Sequence, residues 1–350
     1  MAVERVLSSL PASLDEEHRN WALRPTSLSE YVGQEDFLGR LRIAIEASSR
    51  REEPLEHILL HGPPGLGKTS LAHVIARELG SSIQVTSGPA LMKGTDLVAA
   101  LTRLGPRDVL FIDEIHRLPI QVEEFIYPAM EDYRVDVTVD SGLAARTVQI
   151  RCKPFTLIGA TTRAGLLSSP LRGRFGMTHH LAYYPAEQLL SILERSASLL
   201  GVDRPDGGAL RLIADQSRGT PRVANRLLRR VRDYAVVKNG GRVTLDSARA
   251  ALALEGIDHL GLDGLDRSYL RVIGTVYRGG PVGLEAVAAT LNEDAGTLED
   301  VVEPYLLQIG FLARTRRGRA LTPLAVEHLG LECRAPSASS LLFEDGGAGS

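Results

Sequence analysis

Residues 61–70 read HGPPGLGKTS, which places Gly62, Gly67, Lys68 and Thr69 at the G-x-x-x-x-G-K-[ST] spacing. Glycines at these positions let backbone N–H groups converge on phosphate oxygens, and a helix starting there adds partial positive charge. Lys68 suits the β- and γ-phosphates of a nucleotide, and the Thr69 hydroxyl suits Mg²⁺. Farther on, the apolar run Val109-Leu110-Phe111-Ile112 ends in Asp113-Glu114. On a neighbouring parallel strand opposite the loop, Asp113 is expected to hold Mg²⁺ through water, and Glu114 to orient and polarise an attacking water. The pair of motifs implies Mg²⁺-dependent hydrolysis of a nucleoside triphosphate.

A third group carries the same chemistry. Thr161 and Thr162 end the strand-like run 156–160, where a hydroxyl can sense the γ-phosphate. Ser169-Pro170-Leu171-Arg172-Gly173-Arg174-Phe175 then reads as an exposed turn. An arginine on such a turn, remote from its own loop, suits donation to a neighbouring subunit's nucleotide, where it stabilises transition-state charge. If Arg174 works this way, the active form is a closed ring, because head-to-tail interfaces either close or continue as filaments.

Several elements must position these residues. His57–Leu60 is a buried-strand run, and Leu71, Val74, Ile75 and Leu79 recur after the loop at helical spacing. Strands are expected near 58–60, 83–86, 109–112 and 156–160, alternating with helices as in a parallel α/β sheet. The stretch 134–151 breaks that alternation: Val135, Val137 and Val139 alternate with polar residues, Ser141-Gly142 turns, and 147–150 returns as a strand. A β-hairpin is therefore inserted between two core strands. Residues 184–255 read as all-helical, with Thr220 as N-cap before Pro221. That last helix turns Val223, Leu227, Val231 and Tyr234 inward and Arg226, Arg229, Arg230 and Arg232 mostly outward. From 256 to 335, helices carrying Leu270, Ile273 and Val276, then Leu284, Val287, Ala288 and Leu291, precede a third that starts at Thr297 with Asp300 in a capping box. Two short strands flank Arg316-Arg317-Gly318-Arg319, completing a winged helix-turn-helix. The expected organisation is a polar segment 1–20, an α/β nucleotide domain 21–183, a helical lid 184–255, a winged-helix domain 256–335 and a disordered tail 336–350.

The third helix starts with Glu299, Asp300 and Glu303, which repel phosphates, so base reading by this helix is not expected. Arg314, Arg316, Arg317 and Arg319 surround the wing turn and suit the phosphate backbone, giving duplex binding without sequence preference. The 350 residues carry 44% hydrophobic and 24% charged side chains and a net charge of −3, so nucleic-acid contact must come from local patches. No apolar stretch approaches a membrane span and the N-terminus lacks a signal-peptide core. Cys152 and Cys333 form no metal-ligand spacing, consistent with a reduced, cytoplasmic protein.

Together, the loop, DE-ended strand, sensor-like Thr, SPLRxRF turn and helical lid resemble the AAA+ ATPases. The strings LRPxxLxEYVGQ (23–34), GPPGLGKTSLA (62–72), DVLFIDEIHRL (108–118), YPAMEDY (127–133), FTLIGATTRAG (155–165), RGTPRVANRLLRRVRDYA (218–235) and GGPVGL (279–284) resemble those members that drive branch migration of Holliday junctions. The resemblance spans roughly 20–330. It implies an ATP-driven hexameric ring on duplex DNA, loaded by the partner RuvA, cooperating with the resolvase RuvC, and serving recombination, DNA repair and the SOS response. It also implies that Leu23, Arg24 and Tyr184 lie near the adenine and that Gly65, Gly67, Lys68, Thr69 and Ser70 bind phosphates and Mg²⁺. Glu131, Asp132 and Tyr133 are then close to the nucleotide, Arg174 is the trans finger, Arg222 is the lid's sensor, the hairpin 134–151 docks RuvA, and Arg314 and Arg319 contact DNA. The chain departs from the family pattern at Gly173, at Gly94-Thr95 and at Ala295. A DNA-binding switch of the replication-initiator type and a protein remodeller are the other classes to weigh. Glu114, Arg174 and the hairpin favour the motor over the switch, and the arginine wing speaks against the remodeller.

Overall fold

The structure is a computed structural model that describes residues 21–139 and 146–331. The expectations for 1–20, for Ser141-Gly142 and for the tail with Cys333 lie outside the described residues. Two compact units divide the described chain between Ile192 and Leu193.

The first unit is built on a five-stranded parallel sheet ordered β2 (Ile83–Ser87), β3 (Val109–Asp113), β6 (Thr156–Thr161), β1 (Ile58–His61) and β7 (Met177–His180). Every residue of β6 is buried, as are the apolar residues of β1 and β3. Such unbroken apolar runs belong in the middle of a parallel sheet covered on both faces. Two expectations change here. Asp113 does not stand on the strand next to the P-loop strand, because β6 pairs with both β1 and β3 and separates them. The fifth strand, β7, was not foreseen: its Met-Thr-His-His sequence alternates half-buried and exposed residues at a sheet edge and has no apolar run.

The inserted hairpin is present as β4 (Arg134–Val139) and β5 (Arg146–Arg151), an antiparallel pair outside the main sheet, with Val135 opposite Ile150 and Val137 opposite Val148. Val135 is not part of an unused apolar face, because it is fully buried in the core of the unit. Val148, on the paired strand, is 47% exposed.

The second unit contains the lid helices Gly207–Asp215, Pro221–Lys238 and Leu245–Leu254, followed by the winged helix. Thr220 occupies the N-cap position before Pro221, but its hydroxyl donates to the Arg218 carbonyl and makes no cap bond. Arg226 is buried, contrary to its expected outward position, and Tyr234 is only half-buried. In the winged helix, Leu270 and Ile273 are buried but Val276 is exposed. The third helical stretch, 295–308, is capped by Asp294, whose carboxylate accepts from the Thr297 N–H at 2.9 Å, rather than by Thr297 itself. Its middle, Leu298–Val302, is wound as a π-helix. The wing strands are β8 (Leu312–Thr315) and β9 (Gly318–Leu321).

One buried cluster ties the lid to the winged helix within this unit. Arg218, held at φ 55°, donates through Nε to the Gly261 carbonyl at 2.8 Å and through Nη2 to Asp266. Its guanidinium also lies 4.9 Å from the centroid of the Tyr305 ring. Arg218 and Asp266 are both buried, so each charge depends on the other for its solvation. Removing one partner of such a pair typically costs about 3–5 kcal/mol. Asp266→Ala is therefore expected to lower stability by about that amount, read from urea unfolding monitored on the second unit. Loss of less than about 1 kcal/mol would show that the pair is not an anchor.

Candidate functional site

At the carboxyl ends of β1, β3 and β6 the phosphate chemistry comes together. Gly62, Gly65 and Gly67 adopt positive φ values of 136°, 79° and 98°, which only glycine adopts without strain. The helix Lys68–Glu78 begins directly after them. Lys68 is 7% exposed, and its Nζ donates to the Gly62 and Pro63 carbonyls at 2.8 and 2.9 Å. The ammonium is thus held inside the glycine loop. Thr69 Oγ1 lies 3.5 Å from Asp113 Oδ2, although β6 separates their strands. That proximity suits one Mg²⁺ held directly by the Thr69 hydroxyl and through water by Asp113, with phosphates and further water completing its shell. No group of three or more His, Cys, Asp or Glu able to hold a metal occurs among the described residues.

Glu114 follows in the left-handed conformation at φ 48°, with its N–H on Asp113 Oδ1 at 2.9 Å. This turn separates the two carboxylates, sending Asp113 to Thr69 and Glu114 elsewhere. Glu114 Oε2 meets Thr162 Oγ1 at 3.5 Å and His116 Nδ1 at 3.3 Å. Burial, then the neighbouring Asp113, pushes the Glu114 carboxyl up, while Lys68, Arg117 and the Thr162 hydroxyl pull it back. A carboxylate whose pKa is raised is the stronger base towards water while it remains ionised. His116, whose Nδ1 lies 2.9 Å from the Thr161 hydroxyl, joins β3 to the end of β6. Its part was not foreseen, though it stands in the string DVLFIDEIHRL at 108–118.

Leu23 and Tyr184 are buried, and beside the loop the Tyr184 hydroxyl lies 3.4 Å from both Tyr31 Oη and the Leu66 carbonyl. Tyr31 is a second residue that sequence reasoning missed. The Arg24 guanidinium stacks 4.4 Å from the Trp21 ring centroid. Ser70 lies in the first turn of the P-loop helix. Arg222 belongs to the second unit, in the first turn of the helix Pro221–Lys238.

Arg174 is not on an open turn. It terminates the short helix Ser169–Gly173, its side chain is 25% exposed, and its guanidinium lies 4.4 Å from the centroid of the Tyr127 ring. Nη1 donates to the Pro170 carbonyl at 2.8 Å. Nε lies 3.1 Å from Glu131 Oε1 without a well-aligned hydrogen bond, so the contact is an ion pair by distance. Glu131 and Asp132 therefore meet Arg174 and Arg134, while Tyr133 packs edge-on to Phe155. Open space surrounds Gly173, so its lack of a side chain imposes nothing on the turn. Gly94, by contrast, lies against the Phe125 ring, and a side chain there would collide with it.

Of the three acidic residues expected to repel phosphate from the third helix, Asp300 is exposed, but Glu303 and Glu299 face the wing arginines. Glu303 is fully buried and accepts from Arg314 Nε at 2.7 Å, Arg319 Nε at 2.9 Å and the Tyr269 hydroxyl at 2.5 Å. Glu299 lies 3.8 and 3.6 Å from the same two guanidiniums. Two carboxylates thus offset Arg314, which is exposed, and Arg319, which is not, while Arg316 and Arg317 stand exposed at the turn between β8 and β9.

Comparison with known proteins agrees along the whole described chain. Residues 23–181 match the family model of the Holliday junction DNA helicase RuvB P-loop domain, 184–258 the RuvB AAA lid domain, and 259–330 the RuvB C-terminal winged helix domain. Among solved structures, a Thermotoga maritima RuvB described as a Holliday junction branch migration motor is 51% identical over 89% of this chain and 100% of its own, with a TM-score of 0.81. A mutant of that protein matches at 51% identity over 89% of this chain and 99% of its own, with a TM-score of 0.82.

The geometry separates nucleotide binding from hydrolysis. Glu114→Gln keeps the shape beside Thr162 but removes the carboxylate, so ATP binding is expected to persist while turnover falls about 100-fold. Lys68→Ala should weaken nucleotide binding itself. Equilibrium binding of a fluorescent ATP analogue alongside steady-state turnover distinguishes the two, and near-normal turnover by Glu114→Gln would remove it from the water-activating role.

Proposed function

The chain belongs to the RuvB family of branch-migration motors, and from that membership we propose that it works as an ATP-driven hexameric ring that moves duplex DNA at Holliday junctions. The observation that carries this reading is the meeting of Thr69, Asp113, Glu114 and Thr162 beside the glycine loop, in a chain that also bears a winged helix. On this reading the domains are 21–183, 184–255 and 256–335. Gly65, Gly67, Lys68, Thr69 and Ser70 cradle the phosphates, with Leu23, Arg24 and Tyr184 beside the adenine and Arg222 reporting from the lid.

Thr69 and Asp113 would hold Mg²⁺, which would supply positive charge to offset the negative charge of the phosphates. Glu114 takes the proton of the attacking water, Thr162 fixes the direction of that carboxylate, and Lys68 transfers its hydrogen bonds from the loop carbonyls to phosphate oxygens. Arg174 serves the nucleotide of the adjacent subunit, which makes the ring a requirement for hydrolysis. Loading by RuvA through the hairpin 134–151, cooperation with RuvC, work in recombination and repair, and a cytoplasmic location complete the proposal. Among the described residues no helix is long and apolar enough to cross a membrane. The family models favour the motor over an initiator-type switch.

The direct test is ATP-dependent branch migration of a synthetic four-way junction, with and without RuvA, with Glu114→Gln as the inactive control. ATP turnover without junction movement under both conditions would overturn the motor reading. Two further outcomes probe its parts. Val148→Asp is expected to abolish RuvA-dependent stimulation and spare basal turnover; retained stimulation would move the docking site elsewhere. On the wing, Arg314 and Arg319 support Glu303, so their removal tests folding as much as DNA contact. Arg316→Ala with Arg317→Ala is the cleaner pair. For each arginine that no longer neutralises a phosphate, the slope of log affinity against log salt should fall by ~0.9, equally on unrelated duplexes. An unchanged slope would place DNA on another surface.

A further inference from the structure

The helix Ile120–Asp132 carries Glu123, Tyr127 and Glu131 at four-residue spacing, which sets them on one face. Each does something different for Arg174. The Tyr127 ring lies beneath its guanidinium, and Glu131 approaches Nε from the side. Glu123, which is buried, does not touch Arg174 but fixes what surrounds it. It accepts from the Tyr127 hydroxyl at 2.9 Å and from Ser168 Oγ at 2.6 Å. Ser168 is in turn the N-cap of the short helix Ser169–Gly173, accepting from the Leu171 N–H at 3.2 Å. One buried carboxylate thereby orients both the ring under the arginine and the helix that delivers it.

The two direct contacts differ in what they allow. A carboxylate competes with phosphate for the same guanidinium hydrogen bonds. An aromatic face does not, because it attracts the cation through its flat side and leaves the in-plane N–H donors available. The Glu131 side chain is more than half exposed, and an ion pair so placed is weak and exchangeable. The ring, pinned from below by Glu123 and Ser168, stays in place when that pair opens.

The geometry points to Tyr127 as a positioning residue for Arg174: a fixed aromatic platform that presents the guanidinium for an adjacent subunit's γ-phosphate, with Glu131 as its exchangeable counter-ion. This rests on the reading that Arg174 acts across the subunit boundary. Tyr127 then affects hydrolysis in the neighbour and not in its own subunit.

The test uses the full chain with ATP, Mg²⁺ and duplex DNA. Tyr127→Leu is expected to lower kcat about tenfold with little change in the KM for ATP, whereas Tyr127→Phe, which keeps the ring, retains most of kcat. If Tyr127→Leu fails to fold, Tyr127→Met fills similar volume without an aromatic face and takes its place. Subunit mixing then locates the defect. Lys68→Ala subunits have a sound finger, and Tyr127→Leu subunits a sound P-loop, so mixed rings should turn over more per Tyr127→Leu subunit than that variant alone. Arg174→Ala mixed with Lys68→Ala is the control. If the control pair, shown to form mixed rings, recovers nothing, the trans-finger reading fails. If the control recovers but Tyr127→Leu does not, the platform proposal fails. Equal losses in Tyr127→Phe and Tyr127→Leu, or a wild-type kcat in Tyr127→Leu, would also overturn it.

Discussion

The nucleotide site depends on the parallel pairing of β1, β6 and β3. Three buried apolar strands running the same way bring their carboxyl ends to one edge, and the groups that follow them are then forced together. β1 delivers the glycine loop, β3 delivers Asp113 and Glu114, and β6 delivers Thr161 and Thr162. The strands have no freedom to do otherwise. Their backbone polar groups can be satisfied only by the ladder, and their side chains only by the helices on either face. Function at this edge is concentrated where the ladder stops and polar side chains first become possible.

Charge is managed differently at the two ends of the chain. At the loop, Lys68 donates to backbone carbonyls, neutral acceptors that phosphate oxygens can replace. At the wing, Arg314 and Arg319 are committed to the buried Glu303, a partner that cannot be abandoned cheaply. The first arrangement suits a site whose occupant comes and goes with every turnover. The second suits a scaffold, in which paired charges set the angle of β8 and β9 and leave the turn residues to present positive charge outward.

Within the second unit, the Arg218 cluster has a comparable effect on geometry. Arg218 lies four residues before Arg222, and it grips Asp266 and the Gly261 carbonyl at the start of the winged helix. The turn that begins the helix Pro221–Lys238 and the entrance to the winged helix are therefore joined by one side chain.

Much of this was written in the sequence, and the reason is locality. The glycine loop, the DE-ended strand, the apolar runs of β1, β3 and β6, the inserted hairpin and the winged helix each depend on residues adjacent in the chain or on a regular period. Residue types alone pointed to a phosphate cradle and to a carboxylate beside it. The tertiary structure decided how those pieces meet. It placed β6 between β1 and β3, added the edge strand β7, drew Val135 into the core, and enclosed Glu303 instead of exposing it. It also laid Arg174 on Tyr127 and bound Arg218 to Asp266. Each of these is a choice of partner between residues far apart in the chain. A local pattern tells which side chains need burial or a counter-charge, but only packing selects which of the available groups supplies it.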